Sequence, residues 1–101
     1  MPTSAGSSDG AGTLALFDTP YGITTDGVYL YVADSNNNEI RKIEISSGTV
    51  STLAGLGNSS PGSADTSPSV NAMFFMPQAI TTDGTKLYVA DTGNHKIRVV
   101  Q

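Results

Sequence analysis

Along this chain short apolar runs alternate with clusters of Gly, Asp, Asn and Ser, and no stretch keeps a 3.6-residue apolar period long enough to make a helix. The pattern predicts an all-β chain of short strands. Residues 21–25 and 78–82 are Ile/Thr-containing runs that end in Asp26-Gly27 and Asp83-Gly84, a hairpin signal because Asp and Gly tolerate positive φ. Residues 28–33 and 85–90 hold the unbroken apolar sequence Leu-Tyr-Val-Ala, which suits second strands covered on both faces. The polar clusters from Asp34 to Asn38 and from Asp91 to His95 are turns that lead into third strands at 39–45 and 96–101. After Ser46-Ser47-Gly48, residues 49–54 alternate as an outer, half-solvated fourth strand should, and the second set has no counterpart to it.

These elements are two copies of one unit. Residues 20–44 align with 77–101 without a gap at an offset of 57, and 14 of the 25 aligned positions are identical, the mark of a duplicated structural unit. Four antiparallel strands joined by tight hairpins make a twisted sheet with two apolar faces. Two such sheets stacked together still leave one face of each bare, and closing about 4 to 8 of them around an axis removes that exposure. The expected architecture is therefore two four-stranded propeller blades, the second lacking its outer strand in cis, that close into a β-propeller by oligomerisation. Residues 1–19 form a connector whose segment 2–6 is a candidate strand in trans. The first blade occupies 20–54, an inter-blade connector 55–76, and the truncated second blade 77–101. The connector's 22 residues exceed what crossing three inter-strand spacings, roughly 14 Å, requires, so the surplus is expected to decorate one face of the ring.

Charge narrows the partners. Five Lys and Arg stand against nine Asp and Glu, a net charge of −4, and the basic residues form no run, which leaves little to grip a nucleic-acid backbone. The absence of cysteine excludes disulfides and thiolate metal sites. No apolar run approaches the roughly 18 residues of a membrane helix, and residues 1–12 lack the basic start and apolar core of a signal peptide. A soluble chain with no cofactor is expected. Its partners are expected to be copies of itself, most simply in a homotrimer, and a protein or small-molecule ligand, with no nucleic acid and no membrane.

Candidate chemistry is sparse. Asp34-x-Asn36-x-Asn38 has the alternate oxygen spacing of a calcium loop, but Glu39 stands where Gly is needed and Ile45 where the closing Glu should be, so it reads as a turn. His95, the single histidine, has Asn38 as its repeat mate and reads as an exposed turn residue. The serines crowd the connectors without a nucleophile elbow, and no enzyme is expected. Asp26 and Asp83 read as turn formers that would place carboxylates around one mouth of a ring, and with Tyr21 they are the weak candidates for ligand binding. Arg41 and Arg98 recur on third strands and are expected to pair with Asp34 and Asp91. Tyr31 and Tyr88 match and read as inter-blade core, whereas Tyr21 and Tyr29 do not recur. Asn58-Ser59-Ser60 is a formal glycosylation sequon in a loop. Leu30, Val32, Leu87 and Val89 are expected to form the apolar end faces through which copies assemble.

The pattern Pro-x-x-Ile-x-x-Asp-Gly-x-x-Leu-Tyr-Val-Ala-Asp-x-x-Asn-x-x-Ile-Arg, read at 20–41 and again at 77–98, resembles the NHL repeat of β-propellers. The resemblance covers nearly the whole chain. It implies four-stranded blades, usually six to a ring, and functions dominated by the binding of protein, RNA or ligand, with some related propellers being hydrolases or lyases that hold a metal in the central channel. The leading expectation is a non-enzymatic scaffold, excised or designed, that self-assembles and binds through face loops. The rival is part of a propeller enzyme or receptor with a site in the channel, which would need polar residues converging from non-equivalent positions of the two repeats.

Overall fold

The structure, a computed structural model, describes residues 6, 9–12, 14–55 and 74–100. Strands β1 (Pro20–Thr25), β2 (Tyr29–Asp34), β3 (Glu39–Glu44) and β4 (Val50–Ala54) form an antiparallel meander paired in chain order. A second meander holds β5 (Pro77–Thr82), β6 (Leu87–Asp91) and β7 (Lys96–Val100). Each strand lies within two residues of its expected range. Among the described residues no α-helix occurs. The two β2–β3-type turns are single 3-10 turns, Ser35–Asn37 and Thr92–Asn94, closed by Asn38 and His95 in the left-handed region at φ 57°. Asn and His are among the residues that visit that region most readily, which fits their exchange at this turn.

Register decides which residues share a face. In the first sheet Ile23 pairs with Val32 and Val32 with Arg41, while Ala33 pairs with Ile40 and Ile40 with Ala54. The second sheet repeats this with Ile80, Val89 and Arg98 in one row and Ala79, Ala90 and Ile97 in the other. Side chains alternate across a strand, so the two rows face opposite ways. The core lies between the sheets: Ala33, Ile40 and Ala54 of the first pack on Ile80, Leu87, Val89 and Val100 of the second, with Phe74 closing one end. The innermost strands approach closely. A Cβ on Gly22 of β1 would sit 2.8 Å from the Gln78 carbonyl oxygen and 3.0 Å from the Ala79 Cα of β5.

Ahead of β1 the connector folds back over its own blade. Gly10 and Val50 exchange both backbone hydrogen bonds, at 2.9 and 2.7 Å, so a single bridge caps the outer edge of β4. The candidate strand in trans at 2–6 falls outside the described residues except for Gly6, whose N–H donates to the Phe17 carbonyl at 3.1 Å. The sequon at Asn58 and most of the connector 55–76 also lie outside them.

Candidate functional site

The hairpin carboxylates recur in both blades. Asp26 Oδ1 accepts the backbone N–H groups of Val28 and Tyr29, both at 2.9 Å, and its Oδ2 accepts the Tyr31 hydroxyl at 2.8 Å. Asp83 repeats the arrangement with Thr85, Lys86 and Tyr88. The Tyr29 and Val28 amides, then the Tyr31 hydroxyl, hold the Asp26 carboxyl below the usual range, and the Lys86, Thr85 and Tyr88 donors do the same at Asp83. In return burial, and then the bond to Asp26, push Tyr31 up to about 12, so it stays a proton donor to Asp26 across the physiological range. Both oxygens of each carboxylate are thus spent on closing a turn. Tyr21, the third weak candidate, is exposed on β1 and lines an apolar hollow on the outer face of the first blade. It is not brought together with Asp26 or Asp83 by any contact among the described residues.

On the connector side each blade buries an ion pair. Asp34, fully buried, accepts the Asp18 N–H at 2.8 Å, the Asn37 amide at 2.8 Å and Arg41 Nη1 at 3.0 Å. Asp91 accepts the Phe75 N–H at 2.8 Å, the Asn94 amide at 2.8 Å and Arg98 Nη1 at 2.7 Å. Each guanidinium also lies over the ring of the Phe that precedes its blade, Arg41 on Phe17 at 4.7 Å and Arg98 on Phe74 at 4.9 Å. The repeat motif's Asp, Asn and Arg are therefore one structural device. It ties the strand entry, the 3-10 turn and β3 together, as the sequence led us to expect for the Arg–Asp pairs.

Among the described residues, the first blade gathers two further acids around Arg41. Asp9 from the connector accepts Arg41 Nη2 at 2.8 Å and Thr52 Oγ1 at 3.0 Å. Glu39, almost fully buried, lies 3.9 Å from Arg41 Nη1, and its Oε1 has no hydrogen-bond partner. Burial pushes Glu39 up to about 7, opposed by Arg41 and reinforced by Asp34 and Asp9. Its repeat mate Lys96 is exposed. Sequence reasoning missed Glu39, and the signal was available: a charge reversal between repeat mates at the start of β3. Among the described residues no group of three or more His, Cys, Asp or Glu side chains is arranged to hold a metal ion.

The end faces differ between repeat mates. Ile80 is 9% exposed inside the chain, whereas its mate Ile23 is 60% exposed; Ile40 is fully buried, whereas its mate Ile97 is 71% exposed. The uncovered face of the first blade carries an apolar hollow of about 280 Å³ that includes Phe17, Tyr21, Ile23, Val32 and Ile43. The uncovered face of the second carries one of about 320 Å³ that includes Ala79, Tyr88, Ala90 and Ile97. Of the residues expected on the assembly faces, Leu30 and Val32 belong to the uncovered side of the first blade, but Leu87 and Val89 do not: both are buried in the core between the two blades. The reason is strand alternation. The second blade turns the Leu87–Val89 row inward onto its partner and leaves the Tyr88–Ala90 row outside, so Tyr88 faces outward there while Tyr31 packs against the core.

Comparison with known proteins sharpens this picture. No protein-family profile matches the chain. Over 99 residues, 94% of the chain, it is 40% identical to NHL repeat-containing protein 2 of Bos taurus and spans 13% of that protein. It superimposes with a TM-score of 0.88 and 30% identity on a Bacteroides thetaiotaomicron protein of unknown function, over 96% of this chain and 24% of that one. On an auxiliary nutrient binding protein from Bacteroides ovatus the TM-score is 0.84 at 27% identity, over all of this chain and 27% of the other. In each case the chain corresponds to a minor part of its relative's length.

Proposed function

The chain belongs to the NHL-repeat β-propellers, of which it carries two blades, and we propose that it is a non-enzymatic scaffold whose copies join head to tail into a closed ring. The asymmetry between repeat mates carries this reading. What covers Ile80 inside the chain is the first blade's Ala33–Ile40 face, and the second blade presents the matching Ala90–Ile97 face uncovered at the far end. Ile23, the mate of Ile80, stands uncovered at the near end. A second copy therefore offers each end most of the surface that the chain already uses within itself, apart from Ala54 of β4, which has no counterpart among the described residues of the second sheet. Such heterologous contacts close when the rotation per subunit divides a full turn. Six blades in pairs give about 120° per chain and a homotrimer.

Binding is assigned to the loops on the ring's two rims. The name of the Bacteroides ovatus relative, an auxiliary nutrient binding protein, supports a ligand-binding use of this architecture. The two repeated carboxylates favour a scaffold over a catalyst, because each has both oxygens engaged in its own turn.

The test blocks one end at a time. Ile97→Asp and Ile23→Asp each put a charge on one end face, so either variant alone is expected to remain a folded monomer. An equimolar mixture joins the one intact end of each and stops at a dimer. Trimers in either variant alone, or no association in the mixture, would contradict head-to-tail closure.

A further inference from the structure

Among the five basic side chains, Arg41 and Arg98 are buried in ion pairs and Lys96 lies exposed at the start of β7. The other two, Lys42 and Lys86, line the same cleft. It lies between the blades on the hairpin side, holds about 210 Å³, and also includes Asp26, Tyr31, Leu53 and Leu87. We propose that this cleft is a binding site for a small organic carboxylate with an apolar body, recognised by Lys42 and Lys86 beside the aliphatic side chains of Leu53, Leu87 and Val100. The inference does not depend on ring closure, because both walls belong to one chain.

Both lysines depart from the repeat. The mate of Lys42 is Val99 and the mate of Lys86 is Tyr29, so neither lysine is required by the blade. One comes from the third strand of the first blade and the other from the first hairpin of the second blade. Polar residues converging from non-equivalent positions are what separate a site from a repeated structural feature.

Both are also anchored. The Lys86 carbonyl accepts the Thr82 hydroxyl at 2.8 Å and the Asp83 N–H at 3.3 Å, while its own N–H donates to Asp83 Oδ1 at 2.9 Å, so its stem leaves a pinned turn. Lys42 is paired in β3 between Tyr31 and Ser51, and its ammonium rests 3.9 Å from the centre of the Tyr29 ring. No ion pair to either ammonium is found among the described residues. Asp26, the acid in the cleft wall, already accepts three hydrogen bonds, and the Tyr31 hydroxyl is committed to it as a donor. Leu87 and Val100 at the floor are core residues, so the cleft has a rigid apolar base. Lys42 and Lys86 outnumber Asp26, the one acid in the lining, which favours an anionic head, and Leu53, Leu87 and Val100 favour an apolar body over free phosphate.

Benzoate is the probe, followed by amide chemical shifts on the intact chain. Saturable shifts are expected at Leu53, Thr85, Lys86 and Leu87, and uncharged benzamide is expected to bind at least about tenfold more weakly. Lys42→Val and Lys86→Tyr install the residues their repeat mates already carry; each is expected to weaken benzoate by about tenfold, and the pair to abolish it. Lys42→Gln and Lys86→Gln give the same readout should either mate substitution fail to fold. The proposal is overturned if benzoate gives no saturable shifts, if benzamide binds as tightly, if inorganic phosphate displaces benzoate at equal concentration, or if the Gln variants bind benzoate unchanged.

Discussion

Asn38 Oδ1 accepts the backbone N–H of Met76 at 2.8 Å, so the 3-10 turn of the first blade holds the entry to the second. Met76 sits at φ 55°, and its mate Thr19 at φ 56°, a region costly for a β-branched residue. In a closed ring the position facing Thr19 of the next copy is His95. His95→Asn supplies there the acceptor that Asn38 supplies to Met76. The chain's fold is expected to stay unchanged while each inter-copy contact gains roughly 1 kcal/mol, read as a lower dissociation concentration on dilution. A looser assembly would count against equivalent intra- and inter-chain contacts.

The buried ion pairs predict a different sensitivity. Asp91→Ala removes the buried carboxylate that accepts Arg98 Nη1, the Asn94 amide and the Phe75 N–H, and is expected to cost about 3–5 kcal/mol in urea unfolding, far above an exposed charge substitution. A loss below about 1 kcal/mol would mean that the pair is solvated in solution.

Glu39 gives the pH dependence its sign. Its folded-state pKa of about 7 lies above the ordinary 4.5, so its favourable contribution is complete below about pH 4.5 and is lost as pH rises through about 7. Glu39→Gln is therefore expected to stabilise the chain by roughly 1–2 kcal/mol at pH 8 and to be near neutral at pH 4.5. Thermal melts of both proteins across that range check it, and a variant less stable at pH 8 would show the ionised Glu39 to be favourably paired.

Gly22→Ala tests the close approach of the innermost strands. The three atoms nearest the new Cβ are main-chain atoms of β5, the closest at 2.8 Å, so the blades must part, at a cost of about 1–3 kcal/mol. Ala79, the mate of Gly22, stands on the uncovered face. In the proposed ring its Cβ would meet β1 of the next copy, and Ala79→Gly is expected to tighten assembly while leaving the monomer's melting temperature nearly unchanged.

Strand positions were legible because hairpin chemistry at Asp26-Gly27 and Asp83-Gly84 is local and appears twice. The Asp34–Arg41 and Asp91–Arg98 pairs were legible for the same reason: charged residues recurring in a fixed register need partners that recur with them. Which face of the second blade turns inward was not legible. Leu87, Tyr88, Val89 and Ala90 are apolar on both sides of the strand, so alternation alone leaves two choices, and packing against Ala33 and Ile40 decides between them. The Lys42–Lys86 cleft was hidden because its walls come from different blades and the two residues have different mates.

Light scattering of the unaltered chain at micromolar concentration bears most directly on the central claim. Head-to-tail closure of paired blades predicts about 31 kDa for three copies of the 10.4 kDa chain. A folded species at 10.4 kDa that persists as concentration rises would contradict it, because the faces around Ile23 and Ile97 would then not associate.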